Sequence, residues 1–166
     1  MLDCRKPPDE RSRKGKPPIR PRNGRGADAY SIERSRIMRA VKSRDTGPER
    51  IVRRIVTRLG YRYRLHRADL PGKPDLTISA RRSVIFVHGC FWHGHRCRRG
   101  ARMPKTNILY WSQKISRNRS RDASARRHLR NLGWKVLVIW ECQLKDEAKS
   151  IPFIRNFLDP ASEAHL

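Results

Sequence analysis

Apolar positions first recur with a clear helical period at Ile51, Val52, Ile55, Val56 and Leu59, which fall on one face of a helix. Asp45 or Thr46 can cap that helix, Pro48 fits its first turn, and Gly60 ends it. Upstream, Ile32, Ile37, Met38 and Val41 predict a short helix over 31–41. The period then changes. Tyr61 to Leu65 alternates aromatic or apolar residues with arginine, as a half-buried strand does. Leu70-Pro71-Gly72-Lys73-Pro74 is a turn. Asp75 to Ser79 and Ser83 to Val87 are two more strands, with Ala80-Arg81 in a hairpin turn between them. Thr106 to Leu132 reads as a long arginine-rich helix closed by Gly133. Lys135 to Trp140 is a continuous apolar strand, which implies burial on both faces. Ile151 to Leu158 predicts a last helix. The order α, β, β, β, α, β, α is that of an α/β fold with a mixed sheet flanked by helices.

Charge narrows the partners. The chain has 166 residues, with 40 Lys and Arg against 15 acids, a formal charge of +25. Such a charge opposes compactness and favours a polyanion, of which nucleic acid is the first candidate. A membrane surface would call for a basic amphipathic helix or a lipidation signal, and neither stands out. No apolar run approaches spanning length, and no secretory apolar core opens the chain. Residues 1–27, rich in proline, glycine and basic residues, read as a disordered tail; order is expected from 28 to 166 as one domain. The tail holds nine Lys and Arg against three acids, so the remainder is strongly basic in its own right. Cys4 lies in the tail as a free thiol.

The segment Val87 to Cys97 concentrates the chemistry. Cys90, His95 and Cys97 share one loop, and Cys142 follows the apolar strand. If that strand neighbours Ser83 to Val87, Cys142 reaches the loop. Three thiols and an imidazole then make a closed tetrahedral zinc set, in a reducing compartment where disulfides are disfavoured. His93 and His88 compete with His95 for the ligand role.

An acid–base set lies close by in the expected topology. Asp75 heads a strand whose neighbour runs antiparallel to Val87 and His88. Carboxylate and main-chain carbonyl oxygens suit magnesium. Glu49 at a helix start can add an outer carboxylate, or only complement the helix dipole. A phosphodiester hydrolase needs such a metal and a base, for which His93 and His88 are the candidates. Asp122 either orients an imidazole or pairs with Arg119 or Arg126 at helical spacing. Phe91 and Trp92 are core anchors or wedges for a base stack. Trp111 and Met38 are core residues on their spacing alone.

Arg36 to Val41, Arg44-Asp45-Thr46 with Glu49, Leu70 to Asp75, Val84 to His93 with His95 and Cys97, Pro104 to Asn107 with Tyr110-Trp111, and Leu132 to Cys142 occur in one order. Together they resemble the very short patch repair endonucleases, mismatch-specific nicking enzymes of bacteria. The resemblance implies a restriction-endonuclease-like, PD-(D/E)xK-like fold with a structural zinc. It implies nicking 5′ to the thymine of a T·G mismatch left by deamination of 5-methylcytosine, in double-stranded DNA. Asp75 and the main-chain carbonyl of Val87 match the magnesium ligands. His93 matches the essential histidine, His88 a second one, Glu49 the upstream carboxylate and Asp122 the supporting aspartate. Cys90, His95, Cys97 and Cys142 match the zinc ligands; Phe91, Trp92, Trp111 and Met38 match the intercalating residues. A monomer in the bacterial cytoplasm, on the nucleoid and beside mismatch-repair proteins, follows from the same resemblance. Val87 stands where the family often has Thr, Gly94 where some members have His, and a Glu-x-Lys after Asp75 is absent. A related nuclease of other specificity and a non-catalytic zinc-braced DNA-binding module are the alternatives.

Overall fold

The computed structural model describes residues 44–160. The tail, Cys4 and the helix expected over 31–41 with Met38 lie outside the described residues. The elements are α1 Gly47–Arg58, β1 Arg64–Leu65, β2 Leu76–Ile78, β3 Ser83–His88, α2 Ile108–Asn131, β4 Lys135–Trp140 and α3 Glu147–Leu158. Short 3-10 turns cover Ser79–Arg81 and Gln143–Lys145. The strands form one sheet in the order β1-β2-β3-β4. β1, β2 and β3 pair antiparallel, and β3 and β4 pair parallel, so the sheet is mixed.

Each face of the sheet buries its own cluster. Leu76, Ile78, Ile85, Leu137 and Ile139 pack with Val52, Ile55 and Val56 of α1 and with Ile154 and Leu158 of α3. On the opposite face Val84 and Phe86 pack with Leu70 and with Leu129 of α2, backed by Trp134, Val136 and Val138. The apolar run of β4 is thereby covered on both sides, and the period of two in β3 sends alternate residues to the two layers.

α1 starts where Thr46 accepts the Glu49 N–H and donates its hydroxyl to a Glu49 oxygen at 2.9 Å. Asp45 is outside the helix, so Thr46 is the cap. β1 is shorter than the sequence pattern suggests. The Tyr61 N–H caps α1 through the Val56 carbonyl at 3.1 Å, and Tyr61 and Tyr63 pack against the core rather than joining a ladder. α3 begins four residues earlier than its apolar pattern, because the Asp146 side chain accepts the Lys149 N–H. Among the described residues no helix is long and apolar enough to cross a membrane.

The Leu70–Pro74 turn sets the approach to β2. Gly72 has φ +75, and a Cβ there would lie 2.7 Å from the Ala125 Cβ of α2 and 3.2 Å from the Phe86 ring. Glycine is needed twice over, for the left-handed backbone and for the close approach. Gly72→Ala is expected to lower stability by about 1–3 kcal/mol. Part of that loss should return in Gly72→Ala/Ala125→Gly, a coupling of at least ~0.5 kcal/mol in a double-mutant cycle of denaturant melts. Strictly additive losses would show that the turn does not press on α2.

Candidate active site

Asp75 stands one residue before β2. The pairing of Leu76 with Ile85 brings it level with the end of β3, where its Oδ2 accepts the Val87 N–H at 2.7 Å. Burial pushes this carboxyl up to about 6, and the nearby Glu49 charge adds to the rise. The Val87 hydrogen bond, His66 and Arg53 oppose it. Glu49 is only 3% exposed. Its Oε1 takes the Thr46 hydroxyl, and its Oε2 takes the Asp45 N–H at 3.1 Å and Arg53 Nη2 at 3.0 Å. Glu49 is therefore both a helix-start residue and a neighbour of Asp75.

Two members of this group escaped the sequence reading. His66 follows β1 and lies 3.8 Å from Asp75 Oδ1 through Nδ1 and 3.7 Å from Glu49 Oε2 through Nε2. Arg53 sits between Glu49, Asp45 and His66. The four-residue spacing of Glu49 and Arg53 was a usable signal. His66 had none, since its partners arrive only through strand pairing.

Beyond β3 the chain turns sharply. His88 points to the α2 side of the sheet, 8% exposed at its side chain. Its ring stacks on His93 at 3.9 Å and 10° and meets Trp140 edge-on. His93 Nδ1 lies 2.5 Å from Asp122 Oδ2 of α2, and His88 Nδ1 lies 4.0 Å from the same oxygen. Asp122 thus pairs with an imidazole rather than with Arg119 or Arg126; Arg126 instead donates from Nε to the Asp122 carbonyl at 3.3 Å. Burial alone would raise the Asp122 carboxyl, but the His93 hydrogen bond, the charges of His93 and His88 and that of Arg126 outweigh it and hold it low. Burial and the His93 charge, helped by Arg126 and opposed by Asp122, pull His88 down to about 4, so it is neutral at physiological pH. These side chains open onto a cleft of about 760 Å³, whose walls include Arg119, Arg126 and Trp140.

The donors of His88, His93 and Asp122 lie within 4.8 Å of one another. Imidazole lone pairs lie in the ring plane, and two rings stacked 3.9 Å apart and 10° from parallel share no point of both planes within metal-bonding reach. A common metal ion would force one ring to turn. The arrangement suits proton transfer better than chelation.

A second set gathers at the far side of the same loop. One donor atom each from Cys90, His95, Cys97 and Cys142 falls within 4.8 Å of the others, and Cys142 Sγ lies 3.4 Å from His95 Nδ1. The parallel register of β3 and β4 pairs His88 with Trp140, which delivers Cys142 to the loop. Main-chain bonds from His95 to Cys90 and from Ala101 to Cys97, both 2.9 Å, shape the turn. Gly100 has no room for a side chain: a Cβ would lie 2.1 Å from the His95 carbonyl oxygen. Burial and the neighbouring thiols push Cys90 up to about 12, whereas the Gly100 N–H and His95 bring Cys97 down to about 6. Three sulfurs and one nitrogen at this spacing can hold a tetrahedral metal ion. His88 and His93 lie in the other cluster.

Phe91, Trp92 and Trp111 form an aromatic group with centroids 5.1 to 5.9 Å apart. Trp111 is buried, while Phe91 and Trp92 are half-buried. Asn118 donates to the Trp92 carbonyl at 2.9 Å and ties the loop to α2.

The strained ionisation of Asp75 has a measurable sign. Its ordinary value is 3.8, and in the fold it is about 6. Between those values the folded chain keeps a proton that the unfolded chain has lost. Asp75 is therefore neutral to stability at low pH and opposes folding increasingly as the pH rises through about 6. Asp75→Asn, which retains an acceptor for Val87, should stabilise the metal-free protein by about 1–3 kcal/mol at pH 8 and by nothing at pH 4. Melting curves at the two pH values check this. An equal effect at both would show that the carboxyl is not desolvated.

The family profile described as DNA mismatch endonuclease Vsr matches residues 27–99. The chain is 50% identical over 135 residues to the type II nicking enzyme V.XorIIP of Xanthomonas oryzae pv. oryzae, covering 81% of this chain and 98% of that protein. It is 42% identical over 116 residues to the type II nicking enzyme V.NmeAIP of Neisseria meningitidis, covering 70% and 82%. It is also 42% identical over 116 residues to the DNA mismatch endonuclease Vsr of Escherichia coli, covering 70% and 74%. With half of the aligned residues identical along nearly the full length of one such enzyme, and 42% to the Escherichia coli Vsr protein, this chain belongs to the Vsr family of DNA mismatch endonucleases.

Proposed function

We infer that the chain nicks one DNA strand 5′ to the thymine of a T·G mismatch left by deamination of 5-methylcytosine, and so starts very short patch repair. One observation carries the mechanism: His93 is held by Asp122, backed by neutral His88, and opens onto a cleft whose walls carry Arg119 and Arg126. A carboxylate only accepts hydrogen bonds. The hydrogen on Nδ1 of His93 therefore points at Asp122, and Nε2 keeps the lone pair of a general base. Nε2 takes a proton from water as the water oxygen bonds to phosphorus and the bond to the leaving sugar oxygen breaks. The leaving oxygen takes its proton from solvent, and Asp122 steadies the imidazolium. His88 stays uncharged and fixes the ring of His93 by stacking.

Asp75 and the Val87 carbonyl would hold magnesium. A carboxylate whose charge is opposed by burial and by Glu49 is one that a divalent cation relieves. When bound, the ion would neutralise phosphate charge in the transition state. Glu49 is the upstream carboxylate of this set, near enough for its charge to raise Asp75. Cys90, His95, Cys97 and Cys142 would hold a structural zinc, the soft donor set being suited to it.

Phe91 and Trp92 are the wedge that enters the base stack, with the buried Trp111 ring packed against both. Unstacking a wobble pair costs less than unstacking a Watson–Crick pair, so the wedge selects the deformable site. The same reading has a monomer acting on double-stranded DNA. Residues 28–166 form one endonuclease domain behind the basic tail 1–27. The same reading puts the enzyme in the bacterial cytoplasm, on the nucleoid and beside mismatch-repair proteins.

Paired duplexes with T·G or T·A in one context should be nicked selectively at T·G with magnesium and not at all in EDTA. Asp75→Ala should lose nicking and keep binding. His93→Ala should slow single-turnover cleavage by about 10²–10⁴-fold with little change in affinity. Equal cutting of both duplexes, or EDTA-resistant cutting, would overturn the assignment. Metal analysis of the purified chain should find zinc, and Cys142→Ser should lose it together with several degrees of melting temperature. Full zinc content in Cys142→Ser would remove Cys142 from the ligand set.

A further inference from the structure

His66 takes no part in the acid–base pair or the sulfur cluster, yet its placement is costly. Its φ is +45, a left-handed backbone that residues with a Cβ seldom adopt. Its side chain is only 18% exposed. Each ring nitrogen faces a different group. Nε2 lies 3.4 Å from Arg53 Nη2 and 3.7 Å from Glu49 Oε2, and Nδ1 lies 3.8 Å from Asp75 Oδ1.

Arg53 and Asp75 face opposite ring nitrogens. A guanidinium only donates and a carboxylate only accepts, so a ring hydrogen on Nδ1 is compatible with Arg53 at Nε2 and is the one that can serve Asp75. That hydrogen faces Asp75 Oδ1. The other oxygen of Asp75 already accepts the Val87 N–H. A closure of under ~1 Å at Nδ1 would make a full hydrogen bond, and such catalytic contacts are often long before substrate binds. Both carboxylate oxygens would then be oriented from the protein side.

We propose that His66 is a positioning residue: through a relay from Arg53 to His66 to Asp75 it holds the Asp75 carboxylate in its cation-binding orientation. This rests on Asp75 being the magnesium ligand. Partners of this kind commonly change metal affinity by about 10–100-fold when removed. The left-handed backbone is the cost of aiming the ring between Arg53 and Asp75.

The strain separates positioning from stability. His66→Gly relieves the backbone and removes the relay; His66→Asn tolerates the same backbone and keeps an N–H donor. Mn²⁺ is titrated into the full chain without DNA and followed by electron paramagnetic resonance, with Asp75→Asn as the reference and melting temperatures taken in parallel. His66→Gly should bind Mn²⁺ about tenfold more weakly while melting at or above the parent. His66→Asn should recover most of that binding, and the magnesium needed for half-maximal nicking should rise in the same order. Parent-like Mn²⁺ binding by His66→Gly, with binding lost in Asp75→Asn, would overturn the relay and leave Asp75 as the ligand. His66→Asn as weak as His66→Gly would overturn the hydrogen-bond role. Parent-like binding by Asp75→Asn would remove the Asp75 reading, and the relay with it.

Discussion

The hydrogen bond from the Val87 N–H to Asp75 ties a poorly solvated carboxylate to the last turn of the inner strand. Everything else in the site is placed relative to that strand end. β3 alternates its side chains between two layers, so Val87 packs toward α1 and α3 while His88 points toward α2. Consecutive residues thereby join a carboxylate group on one side to an imidazole group on the other. Asp75, Glu49, His66 and Arg53 form the first; His88, His93 and Asp122 form the second.

The loop after β3 lacks the apolar burial that would hold it by packing alone. Its shape comes from cross-links. Cys142, delivered by the parallel partner strand, meets Cys90, His95 and Cys97, and a bound ion would join the ends of β3 and β4 through the loop. Asn118 and Asp122 of α2 hold the opposite side through the Trp92 carbonyl and His93. His93 and the Phe91–Trp92 pair are thus carried on a segment braced from both sides, which limits how far they can be displaced.

α2 itself is bound lightly. Only Trp111 and Leu129 along its 24 residues are buried. Its arginines stay largely in solvent, where they offer counter-ions to phosphate as part of a chain of formal charge +25. The helix is held by particular polar contacts, including Arg82 to the Leu132 carbonyl at 2.9 Å, instead of a broad apolar stripe. A surface that must meet a polyanion has little apolar area to spare for packing.

The local pattern of residues determined the elements and most of their bounds. β4 has the bounds its apolar run suggests, and the conditional placement of Cys142 followed once β4 was set beside β3. Side chains close in sequence, such as Thr46 with Glu49, were legible because capping acts over one turn. Tertiary structure decided the rest. Asp122 has arginines within a helical turn but takes His93 from 29 residues away, because the loop folds back over α2. Tyr61 and Tyr63 left the predicted strand for the core, and His66 met Asp75 only when β1 and β2 paired. Periodicity records what lies beside a residue along the chain; which distant charges desolvate one another depends on how the layers close.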